Sequence, residues 1–239
     1  MILTPYRTTV FREGQDLMAF IQRHVPQLAE KDILVISSKL ISLWKKCSVE
    51  NLGKSHKEQL IKKESDAALK TKWAWLTIKQ AMIMTNAGID ESNANGKCLL
   101  LPNDLYDCAL EIRKAIQQIY GIKKVGVIIT DSMILPLRRG VIGAACAYAG
   151  FCGVKDERGK KDLFGRAMQV TQVDLADALA AAASSLMGEC AQRTPLCRIE
   201  QAPVQFVAKT DPTEIQYPLE EDLYAPLLKA VGLTKRRKK

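Results

Sequence analysis

The sequence predicts an α/β fold, and three observations carry that expectation. Segments with apolar residues at helical spacing alternate with short β-branched runs. Two of those runs are apolar throughout, as strands buried on both faces are. Neither an internal repeat nor a low-complexity linker divides the chain. With 239 residues, 47% of them apolar and 26% charged, the chain can bury a substantial core as one large domain or two intimate ones.

Taken in order, residues 15 to 25 place Leu17, Phe20, Ile21 and Val25 on one helical face, and Pro26 ends or bends that helix. Asp32-Ile33-Leu34-Val35-Ile36-Ser37-Ser38 reads as a buried strand that ends in hydroxyls. Ser55 to Lys70 reads as a polar, exposed helix, and Trp75 to Thr85 as one or two strands. A well-marked helix follows. Asn103 or Asp104 can cap it, Leu105, Cys108, Ala109, Ile112, Ile116 and Ile119 form its stripe, and Gly121 suits its C′ position. Val125 to Thr130 is a second buried strand, expected to end at Asp131-Ser132, and Val173 to Met187 an alanine-rich helix followed by Gly188-Glu189.

Composition excludes several classes of function. No apolar stretch is long enough to cross a bilayer, and Met1 to Arg7 has no charged-then-apolar signal pattern, so a cytoplasmic protein is expected. Seven cysteines without a Cys-x-x-Cys pair suit reduced, mostly buried thiols better than a disulfide framework or a zinc finger. His24 and His56 are the only histidines and neither neighbours a ligand or nucleophile, which argues against His-based triads and zinc sites. The net charge is +9, but Lys235-Arg236-Arg237-Lys238-Lys239 supplies five of those charges and leaves +4. The other cations are scattered without interleaved aromatics, so anionic small substrates are favoured over nucleic acid. One module over 1–234, with room for two intimate subdomains, and a basic tail over 235–239 are expected.

The run Asn86-Ala87-Gly88-Ile89-Asp90-Glu91-Ser92-Asn93 gathers a turn glycine, two carboxylates, a hydroxyl and amides behind an apolar segment. Hard oxygen ligands of this kind hold Mg²⁺ or Mn²⁺ against a phosphate, although a turn followed by a helix cap uses the same residues. Asp131 and Ser132 repeat the chemistry at the carboxyl edge of a buried strand, where open α/β architectures place ligands. Asp90 and Asp131 are the natural pair. Pro136-Leu137-Arg138-Arg139-Gly140 adds two guanidiniums, and the small residues of Gly143 to Gly150 permit either close backbone approach to a phosphate or tight packing. Neither a P-loop nor a Gly-x-Gly-x-x-Gly fingerprint occurs. Glu189, just past a helix where its charge opposes the dipole, is better placed if it serves a cation.

The strings Asn86-Ala87-Gly88-Ile89-Asp90-Glu91-Ser92-Asn93, Ile129-Thr130-Asp131-Ser132, Asp162-Leu163-Phe164-Gly165-Arg166 and Ala176 to Ala183 leading to Met187-Gly188-Glu189 together resemble the coenzyme F(420)-0:gamma-glutamyl ligases. They include a bacterial branch described as folate-metabolism gamma-glutamate ligases. The resemblance runs from about Thr8 to the end of the folded chain. It implies a mixed-sheet α/β (α+β) fold, an intertwined homodimer, and nucleotide-dependent formation of an amide between L-glutamate and a small-molecule carboxylate acceptor. GTP, or ATP, would be co-substrate, with two divalent cations, Mg²⁺ or Mn²⁺, and K⁺ as a further candidate. Carried over by motif, Asp90 and Asp131 resemble ligands of the first metal, and Ser132 with Glu189 those of the second. The nucleotide contacts implied are Thr8, Thr9, Val10 and Phe11, then Ser37 and Ser38, then Asn93, and finally Met187, Gly188, Glu189, Cys190, Ala191, Gln192, Arg193 and Thr194. Arg138 is the candidate catalytic residue, offsetting charge on the transferring phosphoryl group, with Lys39 or Arg139 as candidate assistants.

Two departures stand out. Many members carry a lysine to the nucleotide where this chain has Leu43, with Lys45 and Lys46 slightly beyond, and Leu135 replaces an arginine after the second aspartate. The metal residues are intact, whereas the cleft toward the acceptor is altered. A catalytically silent nucleotide-binding regulator is therefore the competing expectation, and an RNA-associated protein, resting on the tail alone, the third.

Overall fold

The computed structural model describes residues 1–234; the basic segment 235–239 lies outside the described residues. In chain order the elements are β1 (Ile2–Tyr6), α1 (Leu17–His24), β2 (Ile33–Ser37), α2 (Ser38–Trp44), β3 (Ser48–Glu50), α3 (Lys54–Glu64), β4 (Ala67–Lys70), β5 (Trp75–Lys79), β6 (Met82–Thr85), β7 (Lys97–Leu99), α4 (Leu105–Tyr120), β8 (Gly126–Met133), β9 (Ile142–Ala149), β10 (Val154–Asp156), β11 (Gln172–Asp174), α5 (Leu175–Met187), β12 (Leu196–Glu200) and α6 (Ala225–Ala230). No helix among the described residues is long and apolar enough to cross a membrane.

The central sheet has the order β1-β12-β2-β8-β9 and is mixed. Only β2 and β8 run parallel, and they set Ser37 beside Thr130. The other pairs are antiparallel. Residues alternate between two cores, as the pleat requires. Leu34, Ile36, Val127 and Ile129 face α1 and α4, whose stripe includes Leu105, Ile112 and Ile116. Ile33, Val35, Ile128 and Ile199 face α5 through Ala176, Leu179, Ala180 and Ala183. Helices cover both faces, so the carboxyl ends of β2 and β8 are where the architecture leaves an opening.

Smaller units pack beside this sandwich. The antiparallel β4-β5-β6 sheet meets the C-terminal segment through Ala67, Ile78, Leu228 and Leu233. The β3-β7 ribbon and α3 enclose Ile61, Ile89 and Cys98.

Several expectations require correction. The helix expected over Ser55 to Lys70 stops at Glu64, because Ala67–Lys70 pairs antiparallel with β5. Strand β8 continues past Asp131-Ser132 to Met133, with a register shift between Ile129 and Thr130. That bulge is a recognised way to re-aim side chains near a site. The small residues of β9 serve packing: a Cβ on Gly143 would lie 2.1 Å from Ser184 Oγ and 2.8 Å from the Ala180 carbonyl oxygen of α5. All seven cysteines are free thiols, and Cys190 is exposed.

Candidate active-site cleft

The Asn86–Asn93 run owes its shape to local chemistry. Asn86, Ala87 and Gly88 all adopt left-handed backbone, with φ of 55°, 56° and 70°. That conformation is costly for alanine and routine for glycine. Thr77 compensates by accepting the Ala87 N–H at 2.8 Å, while its own hydroxyl donates to the Met84 carbonyl. The turn delivers Asp90 into a bridge with Leu99, where its side chain accepts from the Ser92 N–H at 2.6 Å.

Lys39, from the first turn of α2, meets that carboxylate. Its Nζ stands 2.8 Å from Asp90 Oδ2 and donates to Ser92 Oγ at 2.8 Å. Burial raises the Asp90 carboxyl, but the Lys39 ammonium and the Ser92 donors outweigh it and hold it below its ordinary value. Asp131 goes the other way. Desolvation pushes it up to about 6; the Ser132 N–H and Lys39 oppose the rise, and the Asp90 charge adds to it. The Asp90 and Asp131 charges therefore interact.

Ser132 and Glu189 form the second pair, with Ser132 Oγ 2.9 and 2.8 Å from the two carboxylate oxygens. Glu189 reaches it because Gly188, at φ 77°, terminates α5. Among the described residues no three His, Cys, Asp or Glu side chains already surround one point. The donors nonetheless fit a hard cation by type: carboxylates and hydroxyls, with no thiolate or imidazole among them.

Lys39, Asp131, Ser132 and Glu189 line a cleft of about 640 Å³. One wall is Thr8, Thr9, Val10 and Phe11, and a second is Met187 through Pro195. Backbone bonds stitch the walls together, from the Thr8 N–H to the Arg193 carbonyl at 2.8 Å and from the Ser37 N–H to the Pro195 carbonyl at 3.0 Å. The Thr194 hydroxyl donates to the Met187 carbonyl, and Asn93 Nδ2 to the Cys190 carbonyl at 3.4 Å. Ser37 and Asn93 also line the cleft.

Three sequence-derived candidates lie elsewhere. Ser38 is buried and does not line the cleft, though its side chain works to lower the Asp131 carboxyl. Asp90 reaches the cleft through Lys39, which lines it. Arg138, the candidate catalytic residue, is set apart on the exposed loop 134–141 and lines no part of its own chain's cleft. The long β8 and β9 strands carry that loop away.

Residue-by-residue reading missed Thr130, Ser184, Asn95 and Leu99 as lining groups. It also missed His24, whose Nε2 accepts from the Thr9 N–H at 3.2 Å and so props the first wall. Leu43 does line the cleft, whereas Lys45 turns to Glu111 at 3.0 Å. Lys39 and Arg193 are the cations of this lining.

A mixed α/β sandwich with a cleft at the carboxyl ends of its one parallel strand pair is the arrangement in which α/β proteins bind ligands. Residues 5–201 match the family model of F(420)-0:gamma-glutamyl ligase. Among curated relatives, the coenzyme F(420):L-glutamate ligase of one Methanococcus maripaludis strain is 41% identical, over 81% of this chain and 77% of the relative. The same-named protein of a second strain is 37% identical over 82% and 86%, and that of Methanocaldococcus jannaschii 35% identical over 82% and 77%. The chain belongs to the F(420)-0:gamma-glutamyl ligase family.

Proposed function

We propose that this protein is a γ-glutamyl ligase that uses a purine triphosphate, GTP or ATP, and divalent cations to join L-glutamate to the carboxylate of a small acceptor. The observation that carries the reading is one cleft lined by Asp131, Ser132 and Glu189 beside the Thr8–Phe11 and Met187–Thr194 walls, with Asp90 tied to it through Lys39. The relatives are named as ligases of L-glutamate to coenzyme F(420), which supports glutamate as amine donor and a deazaflavin as first acceptor to try.

The walls would hold base and ribose, and Asn93 would touch the nucleotide. Mg²⁺ or Mn²⁺ at the two donor pairs would offset charge developing on the transferring phosphoryl group. Lys39 would turn from Asp90 to the phosphates once a cation takes its place as counter-charge. An acceptor carboxylate is a poor electrophile. Its oxygen would attack the γ-phosphorus and expel the nucleoside diphosphate, giving an acyl phosphate. The glutamate amine would then attack the acyl carbon, and phosphate would leave with the acceptor's oxygen and the amine's proton. The chain's own part is to orient these groups and exclude water from the acyl phosphate. Arg138 would act only from a second copy, in the intertwined dimer that the family resemblance implies.

A silent nucleotide-binding regulator is the second reading, favoured by Leu43 in the cleft lining where a cation is expected. Incubation with GTP, Mn²⁺, glutamate and F(420)-0 or a folate decides between them. A mass increase of one glutamyl unit supports the ligase. Nucleotide binding without product, under saturation of every substrate, supports the regulator.

A further inference from the structure

A second cleft, of about 410 Å³, opens between α3 and the β4–β5 hairpin. Its chemistry differs from that of the first. Lys54, Lys57, Lys70 and Lys72 line it together with the rings of Trp73 and Trp75. Lys57 is neutralised by Glu91 at 2.5 Å and Lys70 by Glu58 at 2.8 Å, while Lys54 and Lys72 make no ion pair among the described residues. The cleft is therefore cationic and aromatic at once.

Trp73 contributes nothing to the core, being 87% exposed. It is nevertheless presented by an ordered turn: the Thr71 hydroxyl donates to the Ala74 carbonyl at 2.6 Å and accepts the Trp73 and Ala74 N–H groups at 3.3 and 3.2 Å. Lys72 Nζ stands 5.0 Å from the Trp73 ring centre and Lys62 Nζ 5.1 Å from that of Trp75. An indole held out on a built turn, with the Lys72 ammonium at its ring and Lys54 lining the same cleft, suits a flat ring that carries negative charge. A cation would be repelled here, and a purely apolar partner would leave the lysines unused.

The floor of this cleft is the run that supplies the candidate metal site. Asn86 accepts the Trp75 N–H at 3.0 Å, and Glu91 lines the cleft while its neighbour Asp90 turns to Lys39. Glu91 would repel an anion, but Lys57 and Asn51 hold both of its oxygens.

We infer that this cleft is the acceptor subsite, which takes a planar aromatic anion with its ring on Trp73 and Trp75, its charge on Lys54 and Lys72, and its reactive carboxylate directed past Glu91 toward Asp90. The inference rests on the ligase reading. Its test is equilibrium dialysis of the full chain with F(420)-0, without nucleotide or metal. Wild type is expected to bind with an affinity that falls as salt rises. Trp73→Ala and the Lys54→Ala/Lys72→Ala pair should each weaken binding by about tenfold or more, the scale of one aromatic stacking contact, with GTP binding in the other cleft unchanged. The double lysine variant should also lose most of the salt dependence.

Wild type that fails to bind F(420)-0, or a Trp73→Ala variant that binds it within about twofold of wild type, overturns the subsite. So does sedimentation that shows Trp73 covered by a second copy, with dissociation in Trp73→Ala. If F(420)-0 binds as described but no glutamyl product forms with GTP, Mn²⁺ and glutamate, the ligase reading fails and the aromatic-anion site stands.

Discussion

Lys39 Nζ stands 2.8 Å from Asp90 Oδ2, so an ammonium supplies the positive charge at the residue expected to hold a divalent cation. The same ammonium lowers the pKa of Asp131 against the pull of desolvation. One lysine thus counters both aspartates.

A cation entering between the aspartates must displace that ammonium or tolerate its repulsion. Lys39→Met should therefore bind Mn²⁺ more tightly than wild type, by several-fold, while binding GTP more weakly. Titration of free Mn²⁺ by its paramagnetic resonance signal checks this, and weaker Mn²⁺ binding by the variant would show that Lys39 supports the metal.

Asp90→Asn, Asp131→Asn and Glu189→Gln should each lower turnover by about a hundredfold or more, the scale of losing one preorganised electrostatic contact. Their folds should persist, because each change removes a carboxylate whose partners can bond an amide. Thermal unfolding separates site from scaffold. Mn²⁺ at about 100 times its Kd stabilises the wild type by about 2.7 kcal/mol, a rise of several degrees for a chain of this size. Each variant should lose part of that rise and keep its metal-free midpoint within a few degrees.

Gly143→Ala tests the packing behind the cleft. The added Cβ would lie 2.1 Å from Ser184 Oγ, and that hydroxyl is bonded to Thr130 at 3.2 Å, both residues lining the cleft. Overpacking of this kind costs about 1–3 kcal/mol. Urea unfolding should show the loss, and GTP should bind more weakly in the same variant.

Asp177 gives a pH dependence independent of the metal residues. Desolvation, followed by the Asp174 charge, pushes its carboxyl up to about 6, against a hydrogen bond from the Ala145 N–H. A carboxyl raised on folding binds its proton more tightly in the native state, so its contribution is most favourable near pH 4 and is lost as pH rises through 6. Asp177→Asn removes that loss and keeps an acceptor for Ala145. The variant should gain about 1–2 kcal/mol over wild type at pH 7.5 and converge with it near pH 4. A difference independent of pH would refute the assignment.

Much of the scaffold is readable from local pattern. Ile33–Ile36 and Val127–Ile129 are apolar on both faces because helices cover both, and Gly121 takes the left-handed cap at φ 67° that its position after Tyr120 calls for. Ala67–Lys70 is the instructive miss: alanine, leucine and lysine favour a helix, yet pairing with Trp75–Ile78 makes them a strand. The edge strand β1, which includes Pro5, and the short β3, β7, β10 and β11 have too little apolar alternation to announce themselves. Asp131, Ser132 and Glu189 in the cleft, and Asp90 beside it, could be named from their motifs. The pairing of Lys39 with Asp90, the prop from His24 and the withdrawal of Arg138 follow from contacts between distant segments, which no local spacing encodes.

The central claim is that an acceptor carboxylate is activated by phosphoryl transfer in this cleft and then captured by glutamate. Acceptor labelled with ¹⁸O in its carboxylate, incubated with GTP, Mn²⁺ and glutamate, tests it most directly. One labelled oxygen should appear in each phosphate released, and release should require both acceptor and glutamate. Unlabelled phosphate, or release that continues at full rate without glutamate, would contradict the claim.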